Sequence, residues 1–279
     1  MRKLLYIKHR CLNTPLEKPL YWVRQLLRWP HRRRHPELHH IYKEEQRIST
    51  ALDRLIKPNS NCLDIGCHIG SFLAELTRRA PQGKHTAFEA IPYKAAWLRK
   101  KFPHATIHQI ALADEPGELT FHENLSRPGF SSLGTSRNDR DEIRKYIVKA
   151  DTLDQVIPED AAIDFIKIDI EGAELLALRG GLHLINRCKP AILFESGPNN
   201  ANPMGLTHQQ LYQFLTDELD YAIFLFADYL EGRPPLDTER FDQAHVYPFK
   251  AFNYLALPAT SKEVSAAGVS TSDIGENQY

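Results

Sequence analysis

Cysteine is scarce in this sequence and never paired. Four are present, Cys11, Cys62, Cys67 and Cys188, and none makes the C-x-x-C spacing of zinc sites and redox pairs. They read as free thiols of a reducing compartment, which points to the cytoplasm. Long apolar runs are missing too, since no stretch approaches the roughly 18 residues that cross a bilayer. The first apolar stretch begins at Leu4 and stops at Lys8, too short for a signal-peptide core. Net charge is absent overall, at +0, but residues 1–50 hold twelve Lys or Arg against four Glu, and the rest holds 23 basic against 31 acidic residues. A basic arm on an acidic body can contact an anionic or membrane surface, or dock on its own body; docking on the body is the preferred reading. The dinucleotide fingerprint G-x-G-x-x-G does not occur either.

The length of 279 residues, with 42% apolar and 25% charged residues, suits one large α/β domain with extensions. Residues 1–50 read as a basic, partly helical N-terminal extension. Tyr21, Trp22, Leu26, Leu27 and Trp29 form its apolar side, and the charge run His31-Arg32-Arg33-Arg34-His35 follows Pro30. Residues 51–258 read as the folded α/β domain, and residues 259–279, rich in Ser, Thr, Ala and Gly, as a disordered tail.

From residue 51 a rhythm sets in. Strands are expected over 61–66, 85–89 and 106–112, and helices over 71–79 and 94–102. This is β-α-β-α-β with short connections, the pattern of a parallel sheet covered by helices. Extended pieces over 118–122 and 146–150 flank a polar loop from Glu123 to Arg140. A loop of that length is usually functional, and Ser131 and Ser132 on it are candidate acceptor contacts. The alternation resumes with strands over 164–170, 191–195, 221–226 and 252–257, and helices over 173–178 and 208–219.

Three segments carry candidate chemistry. Asp64-Ile65-Gly66-Cys67-His68-Ile69-Gly70 follows a strand and opens a helix. Gly66 permits a tight turn close to a ligand, and Gly70 lets the helix start pack closely. An acidic residue at this strand end suits a ligand with a cationic amino group rather than a pyrophosphate. Glu89 ends the next strand, 23 residues after Gly66, the spacing at which a carboxylate accepts from ribose hydroxyls; a surface glutamate is the plain alternative. Lys167 and Asp169 alternate onto one side of a buried strand near its carboxyl end, where open α/β sheets bind ligands. An ion pair that only anchors the next helix would look the same.

The blocks DIGCHIGSF from Asp64, AFEAIPYKAAWLRK from Ala87, ALADEPGELTF from Ala111, DTLDQVI from Asp151, IDFIKIDIEGAELLALRGG and PAILFES resemble, in order, the FkbM-type family of S-adenosylmethionine-dependent methyltransferases. The resemblance implies a Rossmann-like class I α/β sheet of about seven strands, mostly parallel with the last antiparallel, and helices on both faces. It implies S-adenosyl-L-methionine as cofactor, with Asp64, Gly66 and Gly70 at its amino-acid part and Glu89 at the ribose. Ile110 and Ala111 would lie near the adenine. Cys67, His68 and Ala90 complete the expected cofactor set. The family often has Asn at the place of His68. Asp169 would face the methyl group.

The resemblance implies O-methylation of a sugar, glycan or secondary metabolite. Transfer from a sulfonium is an in-line displacement that needs alignment and, for a hydroxyl, a nearby base. The candidates are Asp169 and Glu171 as bases, with Glu195 and His68 behind them, and Lys167 to orient a carboxylate or stabilise charge. Glu195 is also expected to contact the acceptor. No metal and no nucleic-acid partner are expected. The rivals are a nucleotide-dependent oxidoreductase, disfavoured by the missing glycine, a non-catalytic cofactor-binding or adaptor module, and a nucleic-acid methyltransferase, disfavoured by the acidic body.

Overall fold

The computed structural model describes Pro19, Pro30, His31 and residues 33–126, 131–133, 140–197, 204–261 and 264. The aromatic helix expected around Trp22 lies outside these. Helix α1 (His39–Leu55) buries Ala51 and Leu52 against the body. It crosses the boundary expected at residue 50. Its Glu44 carboxylate turns inward to accept the backbone N–H groups of Phe252 and Asn253 at 2.9 and 3.0 Å. Residues 39–50 are thus packed on the domain and not part of a free arm.

The elements that follow in chain order are β1 (Cys62–Ile65), α2 (Ser71–Arg79), β2 (His85–Phe88), α3 (Pro92–Lys101), β3 (Thr106–His108), β4 (Ala111–Leu112), β5 (Gly117–Asn124) and β6 (Ile143–Asp151). Then come α4 (Leu153–Val156), β7 (Phe165–Ile168), α5 (Glu174–Arg179), α6 (Leu182–Cys188), β8 (Ala191–Glu195), α7 (His208–Gln213), β9 (Tyr221–Leu225), α8 (Phe226–Glu231), α9 (Thr238–Ala244) and β10 (Asn253–Pro258). Helix α2 keeps its expected bounds because Gly70 at its N-cap is left-handed, at φ 88°, and Arg78 and Arg79 suit the negative end of its dipole. Helix α3 starts two residues earlier than expected, because Pro92 fits the first turn of a helix.

Seven strands form one sheet in the order β3-β2-β1-β7-β8-β10-β9. All neighbours are parallel except β10, which runs antiparallel to both β8 and β9. This is the Rossmann-like class I methyltransferase sheet. Ile166, Ile168, Ile192 and Phe194 pack on one face against α5, α6 and α7. Phe165, Leu193 and Phe224 pack on the other, with Ala51, Leu52 and Leu76 from α1 and α2. Each such large apolar side chain contributes roughly 1.5–3 kcal/mol on burial.

The expected strand over 106–112 divides. Thr106–His108 joins the main sheet, and Ala111–Leu112 joins a second sheet of order β4-β6-β5. The expected helix over 208–219 changes to a π turn over Phe214–Glu218. The expected tail is ordered at its start, with Ala259 and Val264 buried, and residues 265–279 lie outside the described residues. Among the described residues no helix is long and apolar enough to cross a membrane.

Candidate active site

Register in the sheet assembles the site. Asp64 on β1 is the partner of Lys167 on β7, and Ile168 on β7 is the partner of Phe194 on β8. One residue further along, Asp169 falls between Gly66 on one side and Glu195 on the other. Its N–H donates to the Ile65 carbonyl at 3.1 Å.

Lys167 sits at the centre. Its Nζ lies 3.4 Å from Asp64 Oδ1 and 3.4 Å from Asp169 Oδ2, and donates to the Gly66 carbonyl at 3.2 Å. Burial alone would push the ammonium down, but Asp169 and Asp64 outweigh it and hold Lys167 above the ordinary lysine range. Burial likewise works against charge on Asp169, yet Lys167 and a hydrogen bond from Glu195 hold that carboxyl below its ordinary value. Glu195 moves the other way. Burial and the neighbouring Asp169 charge raise it to about 11. At neutral pH Glu195 is therefore the protonated partner that donates, and Asp169 the carboxylate that accepts.

Glu171 follows the strand end in a left-handed conformation, at φ 55°. Burial, then Asp169 and Glu174, raise it to about 8. Glu174 closes this turn: its carboxylate accepts from the N–H groups of Ile170 at 2.9 Å and Gly172 at 3.0 Å. Burial, outweighing those amides, raises it to about 7. Asp169, Glu171 and Glu195 can bring one oxygen each within 4.8 Å of one another. At neutral pH a divalent cation would have to displace the protons held by Glu195 and Glu171 to use that spacing.

The residues expected to cradle the cofactor come from β1, β2 and their turns. Asp64 is fully buried, at 0% exposure, and Lys167 faces its Oδ1 at 3.4 Å. Gly66 has φ +76°, and a Cβ there would lie 1.9 Å from the Asp169 carbonyl oxygen. Its bare backbone thus answers to the neighbouring strand end as well as to a ligand. At Gly70 a Cβ would lie 2.3 Å from the Phe102 ring, which is the close helix packing expected there. His68 has φ 55°, a region where His and Asn are among the few side chains tolerated. This explains why one can stand for the other.

Buried Glu89 accepts from the Ile91 N–H at 2.8 Å and from the His68 backbone. The same carboxylate therefore fixes the first turn to the second. Burial raises its pKa, against the pull of Lys94. Cys67 packs with Leu73, Ala87 and Phe102, and burial and Asp64 hold its thiol well above the ordinary range. Ala90 and Ala111 form one apolar wall with Val148, and Ile110 packs against the main core beside it.

A family model described as Methyltransferase FkbM domain matches residues 64–223, more than half of the chain. The chain belongs to the FkbM methyltransferase family. Its cofactor is S-adenosylmethionine. Among curated relatives, the 2-O-methyltransferase NoeI of Sinorhizobium fredii is 25% identical over 152 residues, covering 48% of this chain and 63% of that protein. The AMB antimetabolite synthetase AmbE of Pseudomonas aeruginosa is 28% identical over 168 residues, 45% of this chain and 8% of that protein. The chain thus spans less than two-thirds of either relative. Among solved structures, the FkbM methyltransferase of Methylobacillus flagellatus covers 72% of this chain and 44% of its own, at 19% identity and a TM-score of 0.45. The plantazolicin methyltransferase BpumL, solved with SAH, covers 91% and 96% at 11% identity and a TM-score of 0.41.

This FkbM domain brings Lys167, Asp169, Glu171 and Glu195 together, with Asp64 and Gly66 beside them. Ser131 and Ser132 lie on the edge of β5, next to Leu133, which packs against Ala90 and Ala111. Ser131 Oγ accepts from the Asn124 N–H at 3.1 Å, and Ser132 exchanges backbone hydrogen bonds with His122. Much of the expected acceptor lid, residues 127–130 and 134–139, lies outside the described residues.

Sequence reasoning passed over three groups. Glu123, expected to open the lid, is instead a buried strand residue that takes the hydroxyls of Tyr93 and Tyr146. Lys94 is buried near Glu89. Ser196 donates to His245 Nε2 at 2.9 Å, while His245 Nδ1–H bonds the Phe241 carbonyl at 2.8 Å; burial lowers this imidazole to about 4. Position just after Glu195 was the one signal available for Ser196.

Proposed function

We propose that this protein methylates a hydroxyl group of a sugar, glycan or secondary metabolite, with Asp169 as the base. The observation that carries the reading is the division of protonation among the strand-end carboxyls. Asp169 is held ionised by Lys167, while Glu195 beside it holds its proton. An ionised carboxylate at the lip of the sheet can take the proton that a hydroxyl acceptor loses as it is alkylated. NoeI, by name a 2-O-methyltransferase, supports oxygen as the acceptor atom.

Bound S-adenosylmethionine supplies an already activated methyl group. Asp64 would hold its amino group and Glu89 its ribose, with the Ala90–Ala111 wall along the adenine. Asp169 accepts the acceptor's proton. Lys167 keeps Asp169 charged and fixes its distance from Asp64. Glu195 donates to Asp169 and helps hold its charge. Alignment and exclusion of water supply most of the acceleration in such a displacement.

Isothermal titration with S-adenosylmethionine tests the donor side. Wild type should bind, and Asp64→Ala and Glu89→Ala should bind more weakly; a folded wild type that does not bind overturns the assignment of the cradle. On the acceptor side, hydroxyl-bearing glycans and metabolites are screened for methyl incorporation. With a working acceptor, Asp169→Asn should lower kcat by about 10²–10⁴-fold without changing cofactor affinity more than a few-fold. Cofactor binding without turnover on any hydroxyl extract would favour a non-catalytic module.

A further inference from the structure

Two of the three large hydrophobic side chains that stand exposed among the described residues are neighbours: Val246, 64% exposed, and Tyr247, 55% exposed. They form the tip of the loop between α9 and β10, together with exposed Pro248 and Lys250. The loop is not floppy at its root. Phe249 packs on Phe252, and the Tyr247 hydroxyl donates to Glu37 Oε1 at 2.6 Å. That bond sets the loop beside the start of α1, where the basic segment of the chain arrives.

The foot of the loop is cationic, while the tip itself contacts Glu37. His39, Lys43 and Arg47 recur every four residues on α1 and so share one face. His40, Arg47 and Lys250 line one small hollow at the foot of the loop. Burial, then the charges of His39, Arg47, Lys250 and Lys43, lower the His40 pKa, which reports a positive potential there. Arg33 and Arg34 are exposed a few residues ahead of Glu37. Of the acids nearby, Glu37 is engaged by Tyr247 and His35, and Glu44 is folded onto backbone amides. Glu45 alone is exposed on this stretch of α1.

We propose that this face docks on an anionic lipid surface, with Val246 and Tyr247 inserted at the interface and Lys43, Arg47 and Lys250 against the headgroups. An aliphatic and an amphipathic aromatic residue at a loop tip, with cations at the foot of the loop, is the chemistry of an interfacial anchor. A nucleic acid would take the charge but has no use for an exposed valine. A second copy would bring one positive face onto another. The inference is independent of the acceptor assigned above.

Sedimentation of the full chain with vesicles tests it. Phosphatidylcholine vesicles are compared with vesicles of phosphatidylcholine and phosphatidylglycerol in equal parts, at low and physiological salt. Binding to the anionic vesicles only, weakened by salt, is expected. Lys43→Ser with Lys250→Ser should weaken it by roughly 25-fold, at about fivefold for each basic residue. Val246→Ser should weaken it severalfold, and S-adenosylmethionine affinity should be unchanged in all variants, which also shows that they fold. Absence of binding to anionic vesicles, equal binding to both kinds, or binding that the variants leave intact would overturn the proposal. Retention on RNA without retention on vesicles, or a dimer that Val246→Ser dissolves, would overturn it in favour of those partners.

Discussion

Replacing Lys167 by Met tests the centre of the site. The ammonium stands 3.4 Å from a carboxylate oxygen of Asp64, a residue with 0% exposure. At that distance and an effective dielectric of about 20, the attraction is about 5 kcal/mol. Asp169 adds less, because its side chain is 37% exposed and water screens it. Breaking a buried pair from one side leaves the other charge without compensation, at a cost of about 3–5 kcal/mol, so Lys167→Met should lose that much stability in urea at pH 7. Asp169 is depressed in the folded state, so its contribution is present above about pH 4 and is lost as pH falls through the depressed value. Lys167 is raised, so its contribution is present below about pH 10 and is lost only as pH climbs past the raised value. The gap between wild type and variant should therefore be full from about pH 5 to about pH 9 and narrow on the acid side. Lys167→Met with Asp64→Asn should recover most of the loss, since it removes both charges. A single variant within about 1 kcal/mol of wild type, or a double variant at least as unstable as the single, would refute the reasoning.

Three further outcomes are expected. Gly66→Ala places a Cβ 1.9 Å from the Asp169 carbonyl at φ +76°, so it should lose more than about 2 kcal/mol and weaken cofactor binding, as read by calorimetry. Glu171→Gln should remove a titration near pH 8 from the pH profile of kcat, because Glu171, at about 8, adds a negative charge beside Asp169 as it ionises and strengthens the base; a profile unchanged by the substitution would contradict this. Glu123→Ala strands two tyrosine hydroxyls in a part-buried setting and should cost about 2–3 kcal/mol in thermal unfolding, while Glu123→Gln, which can still accept, should cost less.

The parallel core was legible because its strands are short, apolar and bounded by turn residues, so β8 and α2 fall where the pattern sets them. Helix α1 was not, since its apolar positions are diluted by charged neighbours and the expected boundary at residue 50 put Ile48 in the basic arm and Ala51 and Leu52 in the domain. The break between Thr106–His108 and Ala111–Leu112 is a tertiary event, because both halves have strand character and only the second sheet claims the latter. The same limit applies to the site. Alternation put Lys167 and Asp169 on one side of β7, but the partnership of Asp169 with Glu195 depends on β7 and β8 being neighbours, which no local pattern states. Ser131 and Ser132 read as exposed loop residues for want of the contacts that fold them onto β5.

The place of β7 in the sheet has an evolutionary corollary. The strand lies between β1, which carries Asp64, and β8, which carries Glu195, and so joins the two halves of the proposed chemistry. Loops that follow β8 can therefore drift, lengthen or be exchanged while Asp64, Gly66 and Glu89 keep their places. A fold divided along a single strand in this way can hold one methyl donor constant while its lineages trade acceptors.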